Sequence, residues 1–248
     1  LGGNEEKPAN LGLFDLIEAL KWIKNNIASF GGDSENITLF GQSSGGDVIA
    51  HLMISEGTEN LFKRVIIHSA PLGLRKNRQK MSAEFLENTR MFNNKSDVLE
   101  IIENYKNNAP SFLKYGLKAA MPFGTQYGFP PLCNEWEAEE KWKQKAKEID
   151  VLIGLNDEET AFYLKASDTI NKYFPAKIIN KAIRTTTEII YGKPTADFAE
   201  NFSKAGGNVY LFRIYPRFKV SNSFLGAHAI DLPFIFGNES AWKNAGIL

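Results

Sequence analysis

Gly41-Gln42-Ser43-Ser44-Gly45-Gly46 follows directly on the apolar run Ile37-Thr38-Leu39-Phe40, and a G-x-S-x-G spacing between strand and helix is the layout of a nucleophile elbow. The chemistry it suggests is attack on a carbonyl carbon. Glycines on either side permit a sharp turn that a Cβ would obstruct against the neighbouring strand or helix. That turn lifts the central residue, Ser43, to where its Oγ can reach a substrate, while Ser44 stands outside the central slot. Val48, Ile49, Leu52 and Met53 then recur at helical spacing, which supplies the helix expected after the turn.

A serine hydroxyl is barely ionised near neutral pH, so an imidazole must take its proton and a carboxylate must orient that imidazole. The chain offers three histidines. His51 lies two turns beyond Ser43 on the following helix and points away from the reacting end. His68 closes the apolar run 65–67 and precedes Ser69. Both are read as structural, hydrogen-bonded histidines. His228, in Leu225-Gly226-Ala227-His228, is the one that follows every plausible acid, matching the order nucleophile, acid, histidine of enzymes built on this elbow. The acid falls in Asp157-Glu158-Glu159, after the strand 151–154, at the sheet edge where catalytic loops emerge. The same cluster would also favour the start of a helix over 160–164 through its negative charge, and spacing alone leaves all three carboxylates open.

The elements that must position these residues alternate along the chain. Leu13, Ile17, Leu20, Ile23 and Ile27 share a helical face that Gly31-Gly32 stops. Short apolar strands are predicted at 37–40, 65–67, 151–153 and 209–212, separated by helical or irregular sequence, which is the pattern of a mostly parallel sheet in an α/β layer fold. Residues 72–148 read as a cap-like insertion in one domain spanning 1–248, helical around 82–90 and 98–105. Within it a Gly/Pro/aromatic stretch runs over 122–131, and the charged tract 135–148 reads as a solvated helix face. At 248 residues, 43% hydrophobic, the chain can bury one substantial core. A net charge of zero argues against nucleic-acid or acidic-lipid partners. No apolar stretch is long enough to span a bilayer, and no secretory signal is evident. The single cysteine, Cys133, excludes an internal disulfide framework and fits a reducing compartment, so a cytoplasmic location is expected.

With these residues in view, the chain resembles the type-B carboxylesterase/lipase family, which includes cholinesterases and bacterial para-nitrobenzyl esterases. Three ordered blocks carry the resemblance. The first runs from Asn10-Leu11-Gly12-Leu13-Phe14-Asp15 and 19–27 through Phe30-Gly31-Gly32-Asp33 and 37–46. The second is Ile153-Gly154-Leu155-Asn156-Asp157-Glu158-Glu159, and the third joins Gly226-Ala227-His228 to Leu232-Pro233-Phe234-Ile235-Phe236-Gly237. The resemblance implies an α/β-hydrolase fold, a Ser43–Glu159–His228 triad, and the backbone N–H of Ser44 as one oxyanion donor. It also implies hydrolysis of small-molecule carboxylic esters without metal or organic cofactor. Ser44 stands where the family usually has alanine, Leu16 where glutamine is common, and Thr160 where glycine usually follows the acid.

The family's glycine-rich oxyanion loop and first strands lie upstream of the region matched, and Gly2-Gly3 reads as an incidental turn. The strand ending at Phe40 is therefore expected to present an apolar edge, and the chain is expected to be a portion of a larger esterase. Other readings are a non-catalytic binding protein of the same fold, against which all three filled triad positions argue, and an amide or carbamate hydrolase. A recombinant chain of these residues alone is expected to hydrolyse esters far below ordinary enzyme rates. Steady-state turnover at ordinary rates would overturn that expectation.

Overall fold

A computed structural model describes residues 9–89, 96–215 and 226–238. In chain order the elements are α1 (Leu11–Asn26), β1 (Thr38–Gln42), α2 (Ser44–Leu52), β2 (Arg64–His68), α3 (Gln79–Thr89), α4 (Val98–Asn107), α5 (Phe112–Tyr115) and α6 (Ala138–Lys145). They continue with β3 (Asp150–Asn156), α7 (Ala161–Lys165), α8 (Asp168–Tyr173), α9 (Ala176–Thr187), α10 (Lys193–Lys204), β4 (Val209–Ile214) and α11 (Leu232–Phe236). The expected Gly2-Gly3 turn, together with Arg90 and Leu225, lies outside the described residues. No helix among those described is long and apolar enough to cross a membrane.

The chain divides into two compact units, the first made of Leu1–Ser34, His51–Leu61 and Leu74–Trp142, the second of the remainder. In the first, α1 buries Leu13, Ile17 and Leu20, the leading part of the predicted face, and Gly31 ends the following turn at a positive φ of 80°. The Asn10 amide donates to the carbonyls of Gln126 and Phe129 at 2.9 and 3.0 Å, which pins the 122–131 stretch. Two aromatics there touch neighbouring rings. Phe123 meets Phe85 and Tyr105, with ring centroids 5.3 and 5.0 Å away, and Tyr127 is buried beside His51. The charged tract corrects its solvated reading. Ala138 and Trp142 are buried, and the Arg75 guanidinium lies 4.3 Å over the Trp142 ring, so the polar residues leave one apolar face that packs.

The second unit is built on a four-stranded, wholly parallel sheet ordered β1-β2-β3-β4. Val65, Ile67, Val151, Ile153 and Leu155 share one face of the sheet and are all buried, while Leu152 on the opposite face stays 38% exposed. β1 is an outer strand of the described sheet, and Phe40 remains 39% exposed while its ring meets Phe236 edge-on at 5.4 Å. The strand runs further than its apolar residues suggest. Gly41 and Gln42 pair with Ile67 and His68, so the ladder continues into the motif. Between β3 and β4, α9 and α10 are joined by a π-helical turn over Glu188–Gly192, and Ala161, Ile179, Ile183 and Ala227 form one buried cluster.

The turn from β1 to α2 has the strain foreseen for an elbow. Ser43 sits at a φ of 60°, costly for a residue with a side chain, and its N–H donates to the His68 carbonyl at 2.8 Å. The tight glycine is Gly41, where a Cβ would lie 2.5 Å from the Gly45 backbone and 2.7 Å from Ile49 Cδ1. At Gly45 a Cβ would meet nothing within 4 Å, so the expectation that both flanking glycines are sterically required holds on one side only. Gly41→Ala is expected to lower the unfolding free energy by about 1–3 kcal/mol through overpacking. Gly45→Ala is expected to stay within about 1 kcal/mol of the parent. Urea unfolding of the two variants checks the contrast.

Candidate active site

The carboxyl ends of the four parallel strands bring Ser43, Glu159 and His228 together. Ser43 is held by the end of β1. Glu159 lies in the turn after β3, and His228 in the loop after β4, with its backbone N–H donating to the Glu159 carbonyl at 3.1 Å. His228 Nε2 is 2.7 Å from Ser43 Oγ, and His228 Nδ1 is 2.6 Å from Glu159 Oε2. A carboxylate beside Nδ1 keeps the proton there and leaves the Nε2 lone pair facing the serine. Gln42 Nε2 also approaches His228 Nε2, at 3.2 Å. Ser44 opens α2, where the first N–H groups have no acceptor within the helix and remain available to an anion.

Of the three carboxylates that spacing leaves open, the structure brings Glu159 to the imidazole. Its side chain is fully buried, and its second oxygen accepts from Ser69 Oγ at 2.5 Å and from the Asn156 N–H at 2.7 Å. Glu158 instead lies 3.3 Å from Lys165 Nζ. Asp157 sits near Arg213, whose guanidinium donates to its carbonyl. Burial, then the neighbouring Glu158, push its carboxyl above the ordinary range. Thr160, the departure after the acid, anchors the turn. Its hydroxyl lies 3.0 Å from the Ile183 carbonyl and 2.7 Å from Thr186 Oγ1, which ties the Glu159 turn to α9.

Two tyrosines flank the imidazole, with ring centroids 6.1 Å (Tyr163) and 5.5 Å (Tyr191) from it. Burial and then the Glu159 charge push both phenols upward, so both stay neutral. Tyr191 comes from the π-helical turn, a position no periodicity in the sequence marks. The other two histidines are both fully buried. His51 lies 2.9 Å from Thr125 Oγ1, and His68 Nε2 lies 2.8 Å from Asp231 Oδ2. Sequence reasoning misses Ser69, Asn156 and Asp231, although two of them stand in plain strand-end positions beside residues it did select.

A parallel sheet with helices, a strained serine between strand and helix, and an acid and histidine on successive strand ends define an α/β-hydrolase fold. A solved para-nitrobenzyl esterase shares that fold, with a TM-score of 0.71 at 24% identity over 94% of this chain and 55% of its own. The family model described as the carboxylesterase family matches residues 1–172, and the chain belongs to that family. It is 31% identical over 251 residues to a probable N-octanoylanthranilate hydrolase of Rhodococcus erythropolis, covering 96% of this chain and 55% of that protein. It is 29% identical over 267 residues to the para-nitrobenzyl esterase of Bacillus subtilis (strain 168), covering 95% and 53%. The chain thus spans about half the length of the curated relatives it matches.

Asp231 carries a pH signature. Burial pushes its carboxyl up, but the close His68 ring and the hydrogen bond from Asn156 outweigh this and hold it below its ordinary 3.8. A depressed folded value adds stability that is present above pH 3.8 and is lost as the pH falls through the folded value. Asp231→Asn is therefore expected to be less stable than the parent at neutral pH, with the gap closing below pH 3.8. Urea midpoints across that range check it.

Proposed function

We propose that this chain carries the acyl-transfer machinery of a serine carboxylesterase. The observation that carries the reading is the unbroken run of contacts from Ser43 Oγ through His228 to the buried Glu159 carboxylate. Ser43 attacks the ester carbonyl carbon as its proton passes to His228 Nε2, and Glu159 stabilises the imidazolium through Nδ1–H. The tetrahedral oxyanion takes a hydrogen bond from the Ser44 N–H at the positive end of α2. Collapse expels the alcohol, which leaves with the proton from His228. Water, deprotonated by the same imidazole, then cleaves the acyl-enzyme and frees the acid and Ser43.

Belonging to the carboxylesterase family supports this reading, as does the para-nitrobenzyl esterase of B. subtilis among its relatives. A second substrate class has one observation in its favour. The Rhodococcus relative is named for an N-acyl compound, and acylation of an enzyme by ester or amide uses the same groups. Matched octanoyl esters and N-octanoyl amides separate the two classes by their kcat/KM values, and the ester reading expects the ester to be the better substrate.

In the whole protein, Ser43→Ala is expected to lower kcat by about 10⁶-fold and Glu159→Gln by about 10⁴-fold. A fluorophosphonate should add once, at Ser43, and intact mass should show no adduct on the Ser43→Ala protein. An adduct that survives that substitution would remove Ser43 from the mechanism.

A further inference from the structure

His68 and Asp231 form a second buried imidazole–carboxylate pair, outside the groups the acyl-transfer mechanism uses. His68 has no exposed surface, and its ring meets Phe212 edge-on at 5.2 Å. Its Nε2 lies 2.8 Å from Asp231 Oδ2, a close polar contact whose angle falls outside hydrogen-bond geometry, and neither ring nitrogen nor Asp231 Oδ2 has a hydrogen-bond partner among the described residues. The other Asp231 oxygen accepts from Asn156 Nδ2 at 2.7 Å. The same Nδ2 donates to the Ala227 carbonyl at 3.1 Å, while the Asn156 backbone N–H donates to Glu159 Oε1 at 2.7 Å. Asn156 Oδ1 has no partner among the described residues, so two acceptors of Nδ2 alone orient the amide.

Asn156 therefore ties the turn that bears the acid to the loop that bears the histidine, and Asp231 with His68 fixes the rotamer of Asn156. The opposite end of His68 reaches the nucleophile, because its carbonyl accepts the Ser43 N–H. We infer that His68, Asp231 and Asn156 are positioning residues of the acyl-transfer site, and that His68 serves by holding its ring against the Asp231 carboxylate. Without that ring the buried Asp231 Oδ2 loses its one close polar neighbour among the contacts described above. Asp231 then turns toward other donors, Asn156 loses an acceptor, and the spacing between Glu159 and His228 relaxes. The inference rests on the esterase reading for its catalytic consequence and on geometry alone for its structural one.

The test uses the whole protein labelled with ring-¹⁵N histidine, with the His228 resonances assigned by substitution. His68→Leu is expected to lower kcat about ten- to hundredfold, with KM within about threefold, and to displace the His228 ring resonances. His68→Gln, which returns a polar side chain of similar reach against Asp231, should restore both. A loss of stability alone would move neither His228 signal nor kcat in the folded protein. Should His68→Leu fail to fold, Asn156→Ala removes both amide bonds, leaves the buried pair whole, and is expected to give the same two losses. Unchanged kcat and unchanged His228 resonances in the folded variant would overturn the inference, as would loss in His68→Gln equal to that in His68→Leu. Ser43→Ala run in parallel keeps the readings apart. If it still hydrolyses esters, the esterase reading fails, and the His228 resonances still decide the positioning role.

Discussion

Everything at this site depends on keeping one carboxylate charged with no water around it. Glu159 has no exposed surface, and an ionised carboxylate in that setting is tolerable only if its oxygens are saturated with donors. They are. The Ser69 hydroxyl and the Asn156 N–H take one oxygen, and the His228 ring takes the other. Each donor comes from a different strand end, so satisfying this one charge gathers β2, β3 and the loop after β4. The position of His228 follows from that gathering, and with it the approach of the imidazole to Ser43.

The elbow contributes the complementary constraint. β1 stays hydrogen-bonded to β2 as far as Gln42, after which Ser43 turns with its N–H still held by the last carbonyl of β2. Gly41 lets α2 leave steeply against the sheet because no Cβ stands in the way. Ser43 is thus anchored by its backbone, and the His228 ring by side-chain bonds. The two anchorages meet at the end of β2, where His68 supplies a carbonyl to one and a ring contact to the other.

How much of this was legible in the sequence follows from the range of each signal. The four strands and α1 announce themselves through apolar runs and helical spacing, because those patterns are local. The elbow is equally plain, since five consecutive residues define it. His228 is reached by order and elimination, but singling out Glu159 needs the fold or the family resemblance. Glu158 has the same chemistry one residue earlier and is turned toward Lys165 by nothing visible in the spacing. Asn156, Asp231 and Tyr191 are harder still. Asn156 and Asp231 are 75 residues apart and acquire meaning only when β3 and α11 converge, and Tyr191 owes its place to a π-helical turn that breaks the period used to read helices. The tract 135–148 shows the opposite error, in which abundant charge hides a buried Trp142.

The backbone angle of Ser43 has a consequence for what the scaffold itself would prefer at this turn. A left-handed conformation costs a serine roughly 1–2 kcal/mol, a penalty glycine escapes. The fold on its own would therefore gain from losing the Cβ, and glycine here would leave a sturdier protein that has no hydroxyl at the turn. A serine here stands against the preference of the scaffold, and what it adds in return is a hydroxyl at the mouth of the strand ends.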